Sequence, residues 1–197
     1  GQIIFNGQDI TGKKPSKIAA SGIQRTFQTI RLFSEMSVAE NVMSGRHIKS
    51  SQNWITGLLH TPSFKRDEKK NWLKVREILE IFGLMSHAEQ QAGSLPYGLQ
   101  RKLEIARAIA AEPELLILDE PAAGLNEKET LELAGEIFSL RDMGHTILLI
   151  EHDIDMVMEL TDRITVLNFG KMIAEGTPAE VQNNPLVIEA YLGADDE

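Results

Sequence analysis

The fold is decided by the stretch Leu115-Leu116-Ile117-Leu118-Asp119-Glu120-Pro121. Its four consecutive apolar residues are typical of a strand that is buried on both faces, as strands of parallel sheets are. A helical pattern over 127–143 follows, and a second apolar run covers 146–150. The order strand, helix, strand predicts a right-handed crossover between parallel strands. We therefore expect an α/β fold in which both apolar runs are buried parallel strands.

The composition limits the classes of protein to which the chain can belong. With 42% hydrophobic and 25% charged residues over 197 positions, it has the balance of an ordinary globular domain. The formal charge is 20 minus 29, or −9, which argues against nucleic acid and anionic lipid as partners. The absence of Cys excludes disulfides and thiolate metal sites. No apolar stretch approaches the roughly 20 residues that span a bilayer, so we expect no direct membrane insertion.

The middle of the chain, about 30–92, is predicted to be a helical insert. The segment 37–40 has the Ser and Glu of a capping box, which predicts that a helix follows it. The Ser, Gly and Pro content of 48–63 is typical of a loop. A further helix is indicated by apolar residues at helical spacing, which predict one buried stripe. These residues are Trp72, Val75, Leu79 and Phe82.

The two ends of the chain carry turn and cap signals. Residues 1–7 predict a strand or one arm of a hairpin. Near the C-terminus, 163–167 and 171–174 are joined by Asn168-Phe169-Gly170 and predict a second hairpin. The pattern Thr177-Pro178-Ala179-Glu180 then predicts a capped helical segment.

Charged side chains follow both apolar runs directly. Asp119 and Glu120 come after the first run, and Glu151 and His152 after the second. Ligands of open parallel sheets gather at the carboxyl ends of the strands, where one carboxylate can face a metal ion and the next can hold a water. The alternative is a solvated loop or a helix cap. A lone histidine after a strand is ordinarily a satisfied or exposed side chain, so His152 by itself indicates little.

A second candidate site lies at 94–101, where Gly98 opens a helical pattern that runs to about 111. A helix N-terminus presents unpaired amides and the positive end of the helix dipole, and a glycine there lets a phosphate approach the backbone. The alternative is a plain helix start with proline in its first turn. The residues alone leave both interpretations open.

Five segments occur in an order that resembles the nucleotide-binding subunit of ATP-binding cassette (ABC) transporters. They are Gln28, Leu95-Pro96-Tyr97-Gly98-Leu99-Gln100-Arg101, Leu116-Ile117-Leu118-Asp119-Glu120-Pro121, Gly124-Leu125-Asn126 and His152. In that family these would be the Q-loop, the signature motif, the Walker B strand, the D-loop and the H-loop. The resemblance covers essentially the whole chain and implies a P-loop NTPase-like (ABC ATPase) parallel-sheet core with an inserted helical subdomain.

A narrower resemblance rests on shorter segments, which look like those of the ATP-binding subunits of branched-chain amino acid importers. These segments are Arg25-Thr26-Phe27-Gln28, Arg31-Leu32-Phe33, Gly57-Leu58-Leu59, Thr61-Pro62-Ser63-Phe64 and Ala190-Tyr191-Leu192-Gly193. The resemblance implies an ATPase that powers such an importer, with 1–29 and 93–197 as the ATPase core and 30–92 as the helical subdomain.

The resemblance also implies roles for individual residues. Glu120 would polarise the attacking water, His152 would contact the γ-phosphate, and Asp119 would hold Mg²⁺ with help from Gln28. ATP of a second subunit would be bound across a dimer interface by the signature and D-loop residues. These are Leu95, Pro96, Tyr97, Gly98, Leu99, Gln100 and Asn126.

The implied partners are proteins. One is a second ABC ATPase subunit, identical or not, and the others are transmembrane permease subunits that dock around residues 28–92. The location implied is cytoplasmic, peripheral on the inner face of the cell membrane. The composition already argues against nucleic acid as a partner.

The sequence departs from the family pattern most clearly at the phosphate loop. The stretch 7–14 has glycines and a lysine at the required spacing, but Lys14 stands where a hydroxyl must coordinate Mg²⁺. We interpret 7–14 as a turn and expect the chain to begin after the phosphate loop. Without the family's first strands, we expect exposed apolar strand edges and an unstable isolated piece.

Smaller departures lie in the signature and D-loop segments. Pro96 replaces the usual serine, Leu99 the usual glutamine and Asn126 the usual aspartate.

Two other functions stay open beside the importer: an ABC ATPase of another membrane task, such as lipopolysaccharide export, and a catalytically silent interaction module. The Gly57–Phe64 segment favours the importer, and the presence of Glu120 and His152 argues for hydrolysis.

Overall fold

The structure is a computed structural model that describes residues 1–46 and 62–192. The chain divides into two compact units, Gly1–Ile150 and Glu151–Glu197. The predicted division into a core and a 30–92 helical subdomain stays a prediction. Much of the predicted loop 48–63 and of the Gly57–Phe64 segment lies outside the described residues, although a helix already begins at Pro62.

The first unit contains a three-stranded sheet, a short hairpin and five α-helices within its described residues. Its strands are β1 (Ile4–Phe5), β2 (Gln8–Asp9), β3 (Ile23–Arg25), β4 (Leu115–Asp119) and β5 (Thr146–Ile150). Its α-helices are α1 (Pro15–Ala20), α2 (Val38–Arg46), α3 (Pro62–Ile81), α4 (Tyr97–Ala110) and α5 (Glu127–Asp142). Short 3₁₀ turns occur at Met85–His87 and Ala92–Ser94.

The sheet has the order β3-β4-β5, and all three strands are parallel. Leu115 pairs with Ile23 on one side and with Thr146 on the other. Helix α5 connects β4 to β5 and begins with a capping box at Asn126. The predicted parallel crossover is therefore confirmed.

The prediction that both apolar runs are buried on both faces is wrong for β5. In β4, Leu116 and Leu118 have no exposed surface, whereas Leu115 and Ile117 are partly buried. In β5, Leu148 is 49% exposed. Side chains of a strand alternate between its two faces, and on the face that carries Leu148 the side chain of Ile150 is also 45% exposed.

The helices pack as their apolar patterns predict, with one exception. Helix α2 begins with the predicted capping box and packs against α3 and α4. In α3 the predicted stripe is buried at Val75 and Leu79 and continues to Phe82, but Trp72 is 42% exposed. The stripe is completed by Ile78, which is 3% exposed. The helical spacing therefore predicts the buried face correctly at Val75, Leu79 and Phe82. At Trp72 the prediction of burial is wrong.

The N-terminal stretch 7–14 is a turn, as the sequence analysis expects. Strands β1 and β2 form an antiparallel hairpin in which Phe5 pairs with Gln8. Helix α1 begins only at Pro15 and is six residues long. A phosphate loop would lead from a strand into a long helix, so this geometry rules out that interpretation of 7–14.

The second unit consists of a hairpin and short helices. They are α6 (Ile154–Leu160), β6 (Ile164–Asn168), β7 (Lys171–Gly176), α7 (Pro178–Gln182), α8 (Pro185–Val187) and a final wide turn, Ile188–Leu192. The predicted hairpin is present, and its turn has Phe169 and Gly170 at positive φ. The predicted capping box at Thr177 is present as well.

Candidate functional site

Parallel pairing of β3 and β4 brings Gln28 to Glu120. Arg25 at the end of β3 pairs with Ile117, and the Thr26 amide continues the pairing by donating to the Ile117 carbonyl at 2.9 Å. The residues after both strands therefore lie at the same edge of the sheet. There, Gln28 Nε2 donates to Glu120 Oε2 at 2.9 Å.

Glu120 has an unusual backbone conformation. Its φ is +46°, in the left-handed region that non-glycine residues adopt at a cost. The Glu120 amide donates to the Ile150 carbonyl at 2.9 Å, which ties the turn after β4 to the end of β5. Residues held in this region occur preferentially at functional sites, because only a surrounding structure that over-determines them keeps them there.

Asp119 forms an ion pair that the sequence analysis does not predict. Arg25 Nη2 lies 2.5 Å from Asp119 Oδ2, and the Asp119 side chain is 22% exposed. The pattern that could have revealed this contact is positional. Arg25 is the last residue of a strand that pairs in parallel with the strand of Asp119, so both side chains reach the same sheet edge.

The predicted signature segment lies beside the predicted D-loop residue. Asn126 Oδ1 accepts from the Glu129 amide, and Glu129 Oε2 accepts from the Asn126 amide, each at 3.0 Å. A Cβ atom on Gly98 would lie 2.6 Å from Glu129 Oε1, so a side chain at residue 98 would displace the Glu129 carboxylate that forms this cap. Tyr97 O–H also donates to the Ala123 carbonyl at 3.1 Å.

The other residues of the signature segment differ in how far their side chains are buried and in their hydrogen bonds. Leu95 is 4% exposed, and its carbonyl accepts from Gln100 Nε2 at 2.8 Å. Pro96 precedes the first residue of α4 and caps it with no side-chain hydrogen bond, while Leu99 is partly buried. Contacts of this turn with a ligand would therefore come mainly from its backbone amides.

His152 belongs to the second unit. Its amide donates to Glu151 Oε2 at 3.2 Å, and its ring Nδ1 lies 3.6 Å from the same oxygen. The side chain is 75% exposed, whereas that of Glu151 is 1% exposed. Of the predicted site residues, the structure thus brings together Gln28 with Glu120, and the signature segment with Asn126. It assigns His152 to a separate compact unit.

The donor set at the sheet edge is made of oxygen atoms. Asp119 and Glu120 supply carboxylates, and Gln28 supplies an amide carbonyl. Within the described residues no group of three or more His, Cys, Asp or Glu side chains could hold a metal ion. Mg²⁺ is commonly held by one or two carboxylates together with substrate phosphates, and the side chains present fit that kind of binding.

The structure is that of an α/β protein with an acidic pair and a glutamine at the carboxyl edge of a parallel sheet, where ligands of such sheets bind. Residues 1–123 match the family described as ABC transporter, and residues 171–197 match the family described as branched-chain amino acid ATP-binding cassette transporter. The chain belongs to the ABC transporter family. ATP hydrolysis by the complete subunit is the activity of this family.

Curated relatives match over nearly the whole chain. The high-affinity branched-chain amino acid transport ATP-binding protein LivG of Escherichia coli (strain K12) is 49% identical over 98% of this chain and 76% of the relative. BraF of Pseudomonas aeruginosa, a protein of the same description, is 46% identical over the same shares. These relatives favour the importer over the other membrane tasks that the sequence leaves open.

Solved structures agree with the fold. A crystal structure of the ADP conformation of an ATP-binding cassette of an ABC transporter has a TM-score of 0.77 and 32% identity, over 98% of this chain and 77% of that one. A nucleotide-free ATP-binding cassette has a TM-score of 0.75, again with 32% identity, over 97% and 76%. The predicted P-loop NTPase-like fold is confirmed, and the chain is a nucleotide-binding protein.

Proposed function

We propose that the intact protein powers import of branched-chain amino acids by hydrolysing ATP with Glu120, Gln28 and His152. The observation that carries this proposal is the hydrogen bond from Gln28 Nε2 to Glu120 Oε2. It holds a carboxylate that can orient a water next to an amide that can approach the γ-phosphate. Phosphoryl transfer requires positioning and charge neutralisation more than covalent chemistry, and these side chains supply both.

Each catalytic residue has a separate role in this proposal. Glu120 accepts a hydrogen bond from the water that attacks the γ-phosphorus, and Gln28 fixes the direction of that carboxylate. His152 donates to the γ-phosphate. The left-handed backbone of Glu120 supports its role, because strained residues cluster at reacting centres.

Asp119 and Gln28 are the proposed protein ligands of Mg²⁺. When bound, the ion neutralises charge that develops on the phosphate oxygens. Arg25 has to leave Asp119, or share it, since a guanidinium and a divalent cation repel each other. The exposure of the Arg25 side chain, 52%, leaves it space to turn toward solvent.

The first turn of α4 and the D-loop residue are proposed to bind the ATP of a second ABC ATPase subunit. Helix N-termini attract phosphate through their amides and dipole. The residues are Leu95, Pro96, Tyr97, Gly98, Leu99, Gln100 and Asn126. Because Pro96 has no hydroxyl, the contact with the γ-phosphate would rest on backbone amides of this turn.

The proposed division of the chain assigns the permease contact to the helical part. Residues 1–29 and 93–197 form the ATPase core, 30–92 form the helical subdomain, and permease subunits dock around 28–92. Within the described residues no helix is long and apolar enough to cross a bilayer. The family resemblance is the ground for the proposed location, which is the cytoplasmic face of the cell membrane, reached through the permease.

The proposed solute follows from the relatives rather than from the site. The described LivG and BraF proteins are named for branched-chain amino acid transport. A nucleotide-binding subunit does not contact the solute in this proposal. The permease to which the subunit binds determines which solute is transported. The assignment of the solute therefore requires a test of its own.

The variant Glu120→Gln tests the catalytic assignment. In the intact protein assembled with its permease, we expect ATP hydrolysis to fall by about 10² or more, while ATP still produces subunit dimers. Glu175→Gln, at an exposed position of β7, is the matched control and should hydrolyse at the parent rate. Hydrolysis by Glu120→Gln at the parent rate would show that Glu120 does not have the proposed role. The proposed solute is tested separately, by uptake through the assembled parent transporter, and uptake of leucine no better than of glutamate would contradict it.

A further inference from the structure

Arg101 is a fully buried arginine whose guanidinium contacts the backbone of Phe27 and Gln28. The side chain has no exposed surface. Its Nη1 donates to the Phe27 carbonyl at 2.9 Å, and its Nη2 donates to the Gln28 carbonyl at 2.8 Å. The planar guanidinium can hold two acceptors at a fixed separation, which a lysine ammonium cannot. Arg101 therefore fixes two successive peptide units of the segment that carries Gln28.

Two side chains of the same helix hold Arg101 in place. Glu104 Oε2 lies 3.0 Å from Nη1, and the Tyr97 hydroxyl lies 3.1 Å from Nη2. Burial raises the pKa of the Glu104 carboxyl, while the amide of Arg31 and the charges of Arg101 and Arg107 act in the opposite direction. A buried ion pair contributes little net stability, because desolvation opposes the attraction. In this structure the Arg101–Glu104 ion pair instead fixes the orientation of the guanidinium.

Tyr97 extends this contact to the turn after β4. Its O–H donates to the Ala123 carbonyl at 3.1 Å, and the Ala123 amide donates to the Glu120 carbonyl at 3.2 Å. Gln28 Nε2 donates to the Glu120 carboxylate. Hydrogen bonds thus form a closed circuit through Gln28, Glu120, Ala123, Tyr97 and Arg101.

We propose that Arg101, held by Tyr97, is a positioning residue that sets the backbone of Phe27 and Gln28 and thereby the reach of the Gln28 side chain to Glu120. The inference rests on the proposed function, since Gln28 and Glu120 have their catalytic roles there. It adds a physical link within one subunit. A shift of the first turn of α4, the part proposed to meet the second subunit's ATP, moves the hydrolytic pair of the subunit's own site.

Two variants test the link at different strengths. Arg101→Lys keeps the positive charge and loses the two-pronged contact, and Tyr97→Phe keeps the ring and loses its hydroxyl. Tyr97 is 46% exposed, so Tyr97→Phe folds even where Arg101→Lys does not. The matched control is Arg46→Lys. Arg46 is a second buried arginine, and its guanidinium donates to Asn71, to the Ala110 carbonyl and to Glu112 rather than to the segment of Gln28.

The first readout is hydrogen exchange of the amides in 27–33, measured on the intact protein without nucleotide. One lost hydrogen bond to a charged donor corresponds to about tenfold in an opening equilibrium. We expect exchange to accelerate by about tenfold in Arg101→Lys, by less in Tyr97→Phe, and not at all in Arg46→Lys. Unchanged exchange in both site variants would overturn the proposal.

The second readout is the split between kcat and KM for ATP in the assembled transporter. A positioning role lowers kcat, by about tenfold in Arg101→Lys, and leaves KM within about twofold. Faster exchange with an unchanged kcat would also overturn the proposal. A parent protein that hydrolyses no ATP would defeat the proposed function, whereas exchange would still decide whether Arg101 holds the 27–28 backbone.

Discussion

Strands β4 and β5 have nearly the same apolar sequence and different surroundings. Leu118 of β4 has no exposed surface, whereas Leu148 of β5 is 49% exposed. Strand β4 lies between β3 and β5, while β5 has β4 as its sole strand neighbour within the described residues. An apolar run therefore identifies a strand, and the elements around that strand decide how much of it is covered.

The largest expected difference between the two strands is in the cost of removing a leucine. Leu118→Ala should lower the free energy of unfolding by about 2–5 kcal/mol, because it leaves a cavity in packed surroundings. Leu148→Ala is the matched control and should cost no more than about 1 kcal/mol. Urea denaturation of the intact protein measures both. Equal costs for the two variants would show that β5 is as well covered as β4.

A smaller effect is expected where β4 is joined to β3. The Gly22 carbonyl accepts from the amides of Glu114 and Leu115 at 2.8 and 3.1 Å. Gly22 has φ of +103°, and a Cβ atom there would lie 3.2 Å from Glu114 Cγ. Gly22→Ala should therefore cost about 1–3 kcal/mol. A cost near zero, measured by the same denaturation, would mean that this junction does not anchor β4.

The smallest expected effect concerns the entry to β5. Burial, with a contribution from Lys74, lowers the pKa of His145 below 6.5, and Glu112 opposes this shift. The folded state thus favours the neutral imidazole, so its contribution to stability is present above pH 6.5 and is lost as pH falls through the folded pKa. Unfolding free energies at pH 7.5 and pH 5 should differ less in His145→Gln than in the parent. An identical difference in both proteins would contradict this assignment.

The elements were predictable wherever their signals are local. The capping boxes at Ser37 and Thr177 and the apolar runs of β4 and β5 lie within a few residues, so they can be found without knowledge of the fold. Exposure at Trp72 and Leu148 was not predictable, because it depends on which distant segments pack against each face. The division of the chain into an ATPase core and a helical subdomain stays a prediction.

The site shows the same limit. Only the family resemblance assigns Gln28 and Glu120 to one site from the sequence. The structure supplies the reason that they meet, because β3 and β4 are parallel and their carboxyl ends share one edge of the sheet. The burial of Arg101 does not follow from any pattern, since arginine in a sequence ordinarily indicates a surface residue. Arg101 is buried because carbonyls from a distant segment receive its donors, and only the tertiary structure brings them there.

The Arg101 contact also has a consequence for biosynthesis. Its two carbonyl acceptors lie 74 and 73 positions earlier in the chain. At the usual rate of translation, Gln28 is made about 4–15 s before Arg101. Through that interval the nascent segment around Gln28 lacks the side chain that holds it. Assembly of the Gln28–Glu120 contact is therefore a late event in synthesis, and it waits for α4 to be made and to dock.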